Sequence, residues 1–395
     1  MEVEGSFCLA FSGVVSSFLS LIFFLLDVVL DLWAVECLYE KEKYFSIGLL
    51  IFFLLGSSVL MQIFSWIWYS DPDKTAPETK VESFIRRHNL LGLVHIFQLG
   101  VLLRIAAVIE ISICRFKRRD LCPTTNLIHI KHNLKMLLLF EAFSENVPQL
   151  VLLTPFIVEM QEIQVFTVLK ITSLSYTVLS YHRKMREFLA DKHKMGWSSS
   201  VFYFLWNSFL IGPRVVSVTL FASELPCYIA AHFLSLWTLL VLWAWWQKTD
   251  FMDSKAGEWL YRATVGIIWY FSWFKVMVKK NKVAPGSTKH KAVIYHVVMG
   301  MDTMLLLALW WWKRSVESAR LCPLPIDPNL LITLLVTIYI IGVLLKLVYY
   351  WKFHPKHADL HINKNDLKLQ MKSEGDAEHH DVVETDSREI PDPEP

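Results

Sequence analysis

The sequence predicts an all-α polytopic membrane protein, and its composition and the length and recurrence of its apolar runs carry that prediction. The chain of 395 residues is 54% hydrophobic and 19% charged, with a mean hydropathy of +0.38. Soluble domains average about 45–50% apolar and about 25% charged residues. Apolar runs of about 18 residues or more recur, and each can cross about 30 Å of hydrocarbon as a helix. Such long runs favour helices over the short alternating strands of a barrel.

Ten apolar segments follow one another, and the basic loops between them predict their orientation. The segments are 8–38, 46–69, 91–113, 134–159, 162–181, 199–222, 225–247, 259–278, 292–312 and 329–351. Lysine and arginine accumulate in short cytoplasmic loops. Loops 70–90, 114–133, 182–198 and 279–291 are rich in these residues, so we place all four in the cytoplasm.

Charge parity predicts that two of the ten segments are re-entrant. Because the basic loops on both sides of segment 91–113 are placed inside, this segment enters and leaves the membrane on one side. Segment 259–278 also lies between two basic loops. We therefore predict eight transmembrane helices plus two re-entrant helices, arranged as two pseudo-symmetric halves. Both termini are then cytoplasmic.

The predicted organisation has four parts. An N-terminal membrane repeat covers 1–181, a cytoplasmic loop covers 182–198, and a C-terminal membrane repeat covers 199–351. The remaining 352–395 forms a polar cytoplasmic regulatory tail. From Lys372 onward this tail has nine acidic and two basic residues. Because it cannot bury an apolar core, we expect it to be largely disordered after that point.

Ionisable residues inside the apolar segments are the main functional signal. A charge at the centre of a membrane helix costs about 2.5–3.5 kcal/mol on insertion scales, so such residues usually line a pathway or pair internally. Asp27 and Asp31 are four residues apart in the first segment, and Glu141 and Glu145 are four apart in the fourth. That spacing puts each pair on one helix face. Further ionisable residues within the segments are Arg104, Lys170, Arg214 and Asp302.

Two interpretations of these charges stay open. In the functional one, the acids and the cations that balance them (Lys170, Arg104 and Arg214) form a polar stair along which a charged headgroup moves. In the structural one, they are buried salt bridges that keep the helices in register, although desolvation can exceed the gain from such pairs. The spacing indicates a pathway without identifying what moves along it.

The sequence favours no enzyme chemistry. It contains no Walker A, GxGxxG, HExxH or GxSxG motif, so we predict a protein that is not an enzyme and uses no cofactor. Its six cysteines lack metal-ligand spacing, so no metal site is predicted, and pairing of Cys227 with Cys322 stays open. The net charge of +2, with the basic residues in loops, indicates membrane topology and not nucleic-acid binding.

Several runs of the sequence resemble the XK-related family. The first are LLDVVLDLWAVE at 25–36 and MLLLFEAFSENVPQL at 136–150. Further runs are SYHRKMR (180–186), YFLWN (203–207), PR (213–214), TDFMDSKAGEWLYR (249–262), YFSWFKV (270–276) and LVYYWKFHP (347–355). The resemblance extends from the first predicted helix to the last. Two positions depart from the family pattern, since Leu138 replaces an arginine and Ser180 replaces an acid.

The resemblance implies an ATP-independent phospholipid scramblase of the plasma membrane. Several members of the family expose phosphatidylserine on the surface of apoptotic cells, and the family fold is similar to the one predicted above. The resemblance also implies a partner, a single-span immunoglobulin-type chaperone of the basigin or neuroplastin kind. The lipid-pathway candidates are Asp27, Asp31, Glu141, Glu145, His182, Arg183 and Arg214, together with Arg104 from the segment analysis.

Activation in this family by tail removal implies an executioner caspase as a second partner, and the tail holds two candidate sites. The run VETD ends at Asp386 and is followed by Ser387, and the run SEGD ends at Asp376 and is followed by Ala377. Cleavage after Asp386 would remove nine residues, and cleavage after Asp376 would remove nineteen. The sequence does not decide between them.

Two other functions fit the same features. Secondary transporters and channels also carry broken helices and charges at membrane depth. A non-catalytic membrane subunit of a complex would need the buried charges only to hold its helices in register. Ion or solute flux, measured beside the flip of fluorescent lipids, distinguishes these functions from lipid scrambling.

Overall fold

The regular secondary structure of the described part of the chain is entirely helical. The computed structural model describes residues 2–70, 79–117, 124–157, 161–189, 193, 195–273, 275, 285–316 and 327–353. In chain order the helices are α1 (Glu2–Glu40), α2 (Tyr44–Tyr69), α3 (Lys80–Arg87), α4 (Leu91–Ile96), α5 (Gly100–Lys117), α6 (Thr124–Glu141), α7 (Val147–Ile157), α8 (Gln161–Phe188), α9 (Trp197–Glu224), α10 (Pro226–Trp246), α11 (Lys255–Phe271), α12 (Pro285–Val316) and α13 (Pro328–Val348). The predicted all-α class is confirmed. Both candidate caspase sites and Cys322 lie outside the described residues.

Seven of the described helices are long and apolar enough to cross a membrane, so the protein is a multi-pass membrane protein. The seven candidate spans are Ser17–Glu40, Tyr44–Tyr69, Ile128–Leu153, Trp197–Glu224, Pro226–Trp246, His290–Val316 and Pro328–Phe353. The predicted segment 162–181 falls within α8, which is not among them. Lys170 and many serine, threonine and tyrosine side chains make α8 more polar than the other seven.

The two segments that were predicted to be re-entrant contain no helix among these seven spans. Segment 91–113 is divided into α4 and α5, and between them Gln98 has a φ of 63°, a left-handed conformation that does not continue an α-helix. Gly100 then begins α5 close to α2, and a Cβ atom at this position would displace the side chain of Gln62. In the second half, α11 ends at Phe271, before the predicted end of its segment at 278.

The centre of the bundle is formed by α9 and by the continuous stretch from α6 to α7. In these spans 61% and 72% of the residues are buried, compared with 12% in α1 and 11% in α10. A π turn, Ala142–Asn146, joins α6 to α7. Pro148 follows it, and its ring would clash with the carbonyl group four residues earlier in a regular α-helix. The wider π turn accommodates this proline while it carries Glu145 in the protein interior.

Candidate functional site

Four carboxylates from two helices converge in the N-terminal half, and we call them the acidic cluster: Asp27, Asp31, Glu141 and Glu145. The first two lie on α1, and the other two lie at the end of α6 and in the π turn. Carboxylate oxygens of Asp27, Glu141 and Glu145 all lie within 4.8 Å of one another. The helical spacing seen in the sequence therefore brings acids of the two pairs together across a helix interface.

Lys170 of α8 is a counter-ion of the acidic cluster. Its Nζ lies 2.8 Å from Oδ1 of Asp27 and 3.5 Å from Oδ1 of Asp31. It also donates a hydrogen bond of 2.6 Å to Oδ1 of Asn146. The Lys170 side chain is 3% exposed and that of Asp27 is 22% exposed. The ammonium group is thus enclosed, and Asp27 forms the accessible edge of the cluster.

Two amide side chains complete the surroundings of these acids. Gln149 of α7 donates from Nε2 to Oδ1 of Asp31 at 2.8 Å. Asn146 has its Nδ2 3.5 Å from Oδ2 of Asp27 and its Oδ1 on Lys170. Sequence analysis did not select either amide as a site residue. The available signal was their position in the same apolar segment as Glu145, one and four residues further along.

Arg214 of α9 lies in a second charged site, in the C-terminal half, which we call the arginine site: Arg214, Asp302, His232 and Tyr270. The Nη1 atom of Arg214 is 2.6 Å from Oδ2 of Asp302 on α12. Its Nε donates to the backbone oxygen of Tyr270 at 3.1 Å, and its guanidinium carbon lies 4.8 Å from the centre of that ring. Three helices, α9, α11 and α12, therefore meet at one guanidinium group.

His232 of α10 links the other members of the arginine site. Its Nε2 lies 3.0 Å from Oδ1 of Asp302, and its Nδ1 lies 2.8 Å from the hydroxyl group of Tyr270. Because a carboxylate only accepts hydrogen bonds, Nε2 of His232 carries a proton and donates a hydrogen bond to Asp302. Sequence analysis selected Asp302 as ionisable but did not select His232 or Tyr270, which join it only through the packing of three helices.

Arg104 occupies a third place, on α5 against α2. Its Nε donates to Oγ of Ser65 at 3.1 Å, and its Nη2 donates to the backbone oxygen of Ser65 at 3.0 Å. The guanidinium group also lies over the ring of Tyr69, 4.1 Å from its centre. Of the three cations expected to balance the four acids, the structure places Lys170 in the cluster and Arg104 and Arg214 elsewhere.

His182 and Arg183 lie near the end of α8, about 18 Å along the helix axis from Lys170. The His182 ring stacks on that of Tyr203, with the ring centres 4.3 Å apart. Arg183 is exposed. The structure therefore groups the predicted lipid-pathway residues into separate sites at different positions, not into one continuous row of contacts.

Known proteins resemble this chain over most of its length. The family model described as XK-related protein matches residues 15–355. XK-related protein 8 of Tetraodon nigroviridis is 39% identical over 363 residues, which are 90% of this chain and 86% of the relative. XK-related protein 8 of Gasterosteus aculeatus is 39% identical, and that of Pan troglodytes is 34% identical, each over 84% of this chain and 81% of the relative. The chain belongs to the XK-related family.

Proposed function

We propose that this protein is an ATP-independent phospholipid scramblase, which moves lipids across the bilayer without changing them chemically. One observation carries the proposal: each charged site pairs an enclosed cation with a partly exposed acid. Lys170 is 3% exposed beside Asp27 at 22%, and Arg214 is 3% exposed beside Asp302 at 16%. A lipid headgroup loses its hydration when it enters hydrocarbon, and accessible polar groups at that depth offset part of the cost.

The proposed lipid pathway uses the residues identified from the sequence. Asp27 and Asp302 would meet the headgroup first, since both are partly exposed. The local electrostatic potential would be set by the more buried residues of the two sites, Asp31, Glu141, Glu145 and Arg214. Of the remaining candidates, His182 and Arg183 would act just beyond the end of segment 162–181, and Arg104 would act within segment 91–113. The family resemblance supports the same activity.

We propose that the protein lies in the plasma membrane with both termini in the cytoplasm and with eight crossings. The eighth crossing would be α8, whose 28 residues extend about 42 Å. Its polar side chains would face protein, as Lys170 does. The divided pair α4 and α5 and the short helix α11 would form the two partly inserted segments of two pseudo-symmetric halves.

The test is reconstitution of the full chain, and of the chain cut after Asp376, into liposomes with fluorescent phosphatidylserine or phosphatidylcholine and no ATP. Scrambling makes the labelled lipid of the inner leaflet accessible to an external quencher, and we expect the tail-cut chain to do this faster. Ion or solute flux without lipid movement would indicate a transporter or channel. Neither activity, with retained binding of a partner protein, would indicate a non-catalytic subunit.

We further propose that an executioner caspase activates the protein in apoptosis by removing part of the tail. Asp386→Ala, Asp376→Ala and the double variant, compared for surface phosphatidylserine after a death stimulus, identify the cut. Normal exposure in the double variant would contradict this activation. Co-purification would test the partner, a single-span immunoglobulin-type chaperone of the basigin or neuroplastin kind.

A further inference from the structure

A small polar cavity lies between α9, α11, α12 and α13, next to the arginine site. Its volume is about 30 Å³, and its lining includes Trp206, Asn207, Arg214 and His296. A single water molecule needs about 10–15 Å³ of such space, so the cavity holds about two water-sized particles. The cavity is therefore large enough for a small ligand and too small for a lipid headgroup.

Four of the lining residues have a buried polar atom without a hydrogen-bond partner in the described part of the chain. These atoms are Nε1 of Trp206, Oδ1 of Asn207, Nη2 of Arg214 and Nδ1 of His296. Trp206, Asn207 and Arg214 are each at least 97% buried. Buried polar groups in native proteins nearly always have a partner. Four residues with such atoms around one cavity indicate that a molecule bound there, ordered water or a small ligand, supplies their partners.

Hydrogen-bond donors predominate among these four atoms. The indole of Trp206 and the guanidinium of Arg214 can only donate. The Nζ atom of Lys346 contacts Nε2 of His296, and an ammonium group has no acceptor, so Nε2 must accept. The ring proton of His296 then lies on Nδ1. Three N–H donors and one acceptor, Oδ1 of Asn207, consequently surround the cavity.

The net charge beside the cavity is positive. Asp302 balances Arg214 at 2.6 Å. Lys346 is 8% exposed, and its Nζ lies 4.6 Å from the centre of the Trp206 ring. Within the described ranges no carboxylate lies at ion-pair distance from Lys346. A buried ammonium group without a counter-ion is strongly unfavourable, and an anion bound in the adjoining cavity would stabilise it.

We propose that this cavity binds a small inorganic monoanion of the chloride type. The N–H groups of Trp206, Arg214 and His296 hold it, and Lys346 supplies the charge that balances it. Water alone would satisfy the donors but would leave Lys346 unbalanced. One water molecule beside the anion completes the site by donating to Asn207. This binding is independent of lipid scrambling and can be measured without it.

The first test compares thermal unfolding of the purified full chain in chloride and in gluconate at equal ionic strength. We expect chloride to raise the unfolding midpoint by about 2–4 °C, and we expect the rise to grow with the logarithm of its concentration. Trp206→Phe keeps the ring and removes the N–H donor, so it should abolish this rise. Trp310→Phe is the matched control, because Trp310 is also fully buried and its Nε1 has no partner among the described residues, but it does not line the cavity.

A second variant and a second ligand complete the design. Lys346→Gln should also lose the chloride-dependent rise, and bromide should replace chloride and give an anomalous diffraction peak in the cavity. An unchanged midpoint of the wild type in chloride would overturn the proposal, as would loss of the rise in Trp310→Phe. A rise caused by phosphocholine and not by chloride would overturn it as well, because it would assign the cavity to a lipid headgroup.

Discussion

The acidic cluster and the arginine site differ in the balance of acidic and basic side chains that they contain. The acidic cluster brings four carboxyl groups to the ammonium group of Lys170. In the arginine site one carboxylate, Asp302, lies between Arg214 and His232, and the adjoining cavity is lined by His296, which contacts Lys346. The two halves, expected to be structural repeats, thus carry different sets of ionisable groups, with acids outnumbering bases in the first site and bases outnumbering acids in the second. A phospholipid headgroup with a phosphate and a cationic nitrogen contains a partner for each.

The two sites also differ in how firmly their helices are held. The arginine site lies where α9 to α12 meet, and α9 is 61% buried over its span. The acidic cluster holds α1, of which only 12% is buried over its span. Apolar packing therefore contributes less to the position of α1, and the contacts of Lys170 with Asp27 and Asp31 contribute more. The comparison predicts a rigid arginine site and an acidic cluster whose polar contacts determine where α1 lies.

The largest effect is expected for Arg214→Met. It leaves the largely enclosed Asp302, 16% exposed, without its cation, and removal of one partner of a buried pair costs about 3–5 kcal/mol of unfolding free energy. The measurement is thermal unfolding of the purified chain in detergent. The exposed Arg87→Met is the control and should change the unfolding free energy by less than about 0.5 kcal/mol. The double variant Arg214→Met with Asp302→Leu should recover part of the lost unfolding free energy. An equal loss in the single and double variants would contradict the ion-pair explanation.

A smaller effect is expected for Lys170→Met. We expect a loss of about 1–3 kcal/mol, less than for Arg214, because Asp27 is 22% exposed and Asp302 only 16%, so water screens the charge of Asp27 more. The loss should be local to α1. In a chain where Cys37 is the single cysteine, faster reaction of its partly buried thiol with a maleimide would report the displacement of α1. Unchanged maleimide reactivity together with full loss of stability would show that Lys170 holds the whole bundle.

The spacing of the acids was predictable from the sequence, but the choice of their cation was not. Helical periodicity is local, so Asp27 with Asp31, and Glu141 with Glu145, could be assigned to common faces. Pairing with Lys170 instead of Arg214 depends on which helices pack together. That packing brings together Asp27 and Lys170, which are 143 positions apart in the chain. No pattern in a single sequence indicates such a distant contact.

The fold shows the same division between local and distant information. Long apolar runs predicted the helices, and all seven candidate spans overlap predicted segments. The break between α4 and α5 was missed because 91–113 reads as one apolar run. Its cause is conformational, a left-handed Gln98 and a glycine at a close approach to α2, and neither changes the hydropathy of the segment.

Asp27→Asn should lower the scrambling rate about tenfold, which is equivalent to about 1.4 kcal/mol of activation free energy. If the acidic cluster favours the cationic nitrogen of a headgroup, this variant slows phosphatidylcholine, which has a quaternary ammonium group, more than phosphatidic acid, which has no nitrogen. The measurement is the flip rate of each fluorescent lipid in liposomes. Asp327→Asn is the control, since Asp327 only caps α13 through its exposed side chain. An equal slowing of both lipids would remove the proposed difference between the two sites.

The smallest effect is expected for Gln149→Leu, which removes the amide that donates to Asp31 at 2.8 Å. A hydrogen bond to a charged group contributes about 1.5–3 kcal/mol, but the variant also removes the buried Oε1 of Gln149, which has no partner in the described part of the chain. We therefore expect a net loss of about 1 kcal/mol in thermal unfolding. The shape-matched Gln149→Glu separates packing from charge, because it adds a fifth carboxylate to a site that already has an excess of them. If Gln149→Glu were as stable as the wild type, the added carboxyl group would be protonated or the acidic cluster would contain a further cation, and an excess of acids would not destabilise this site.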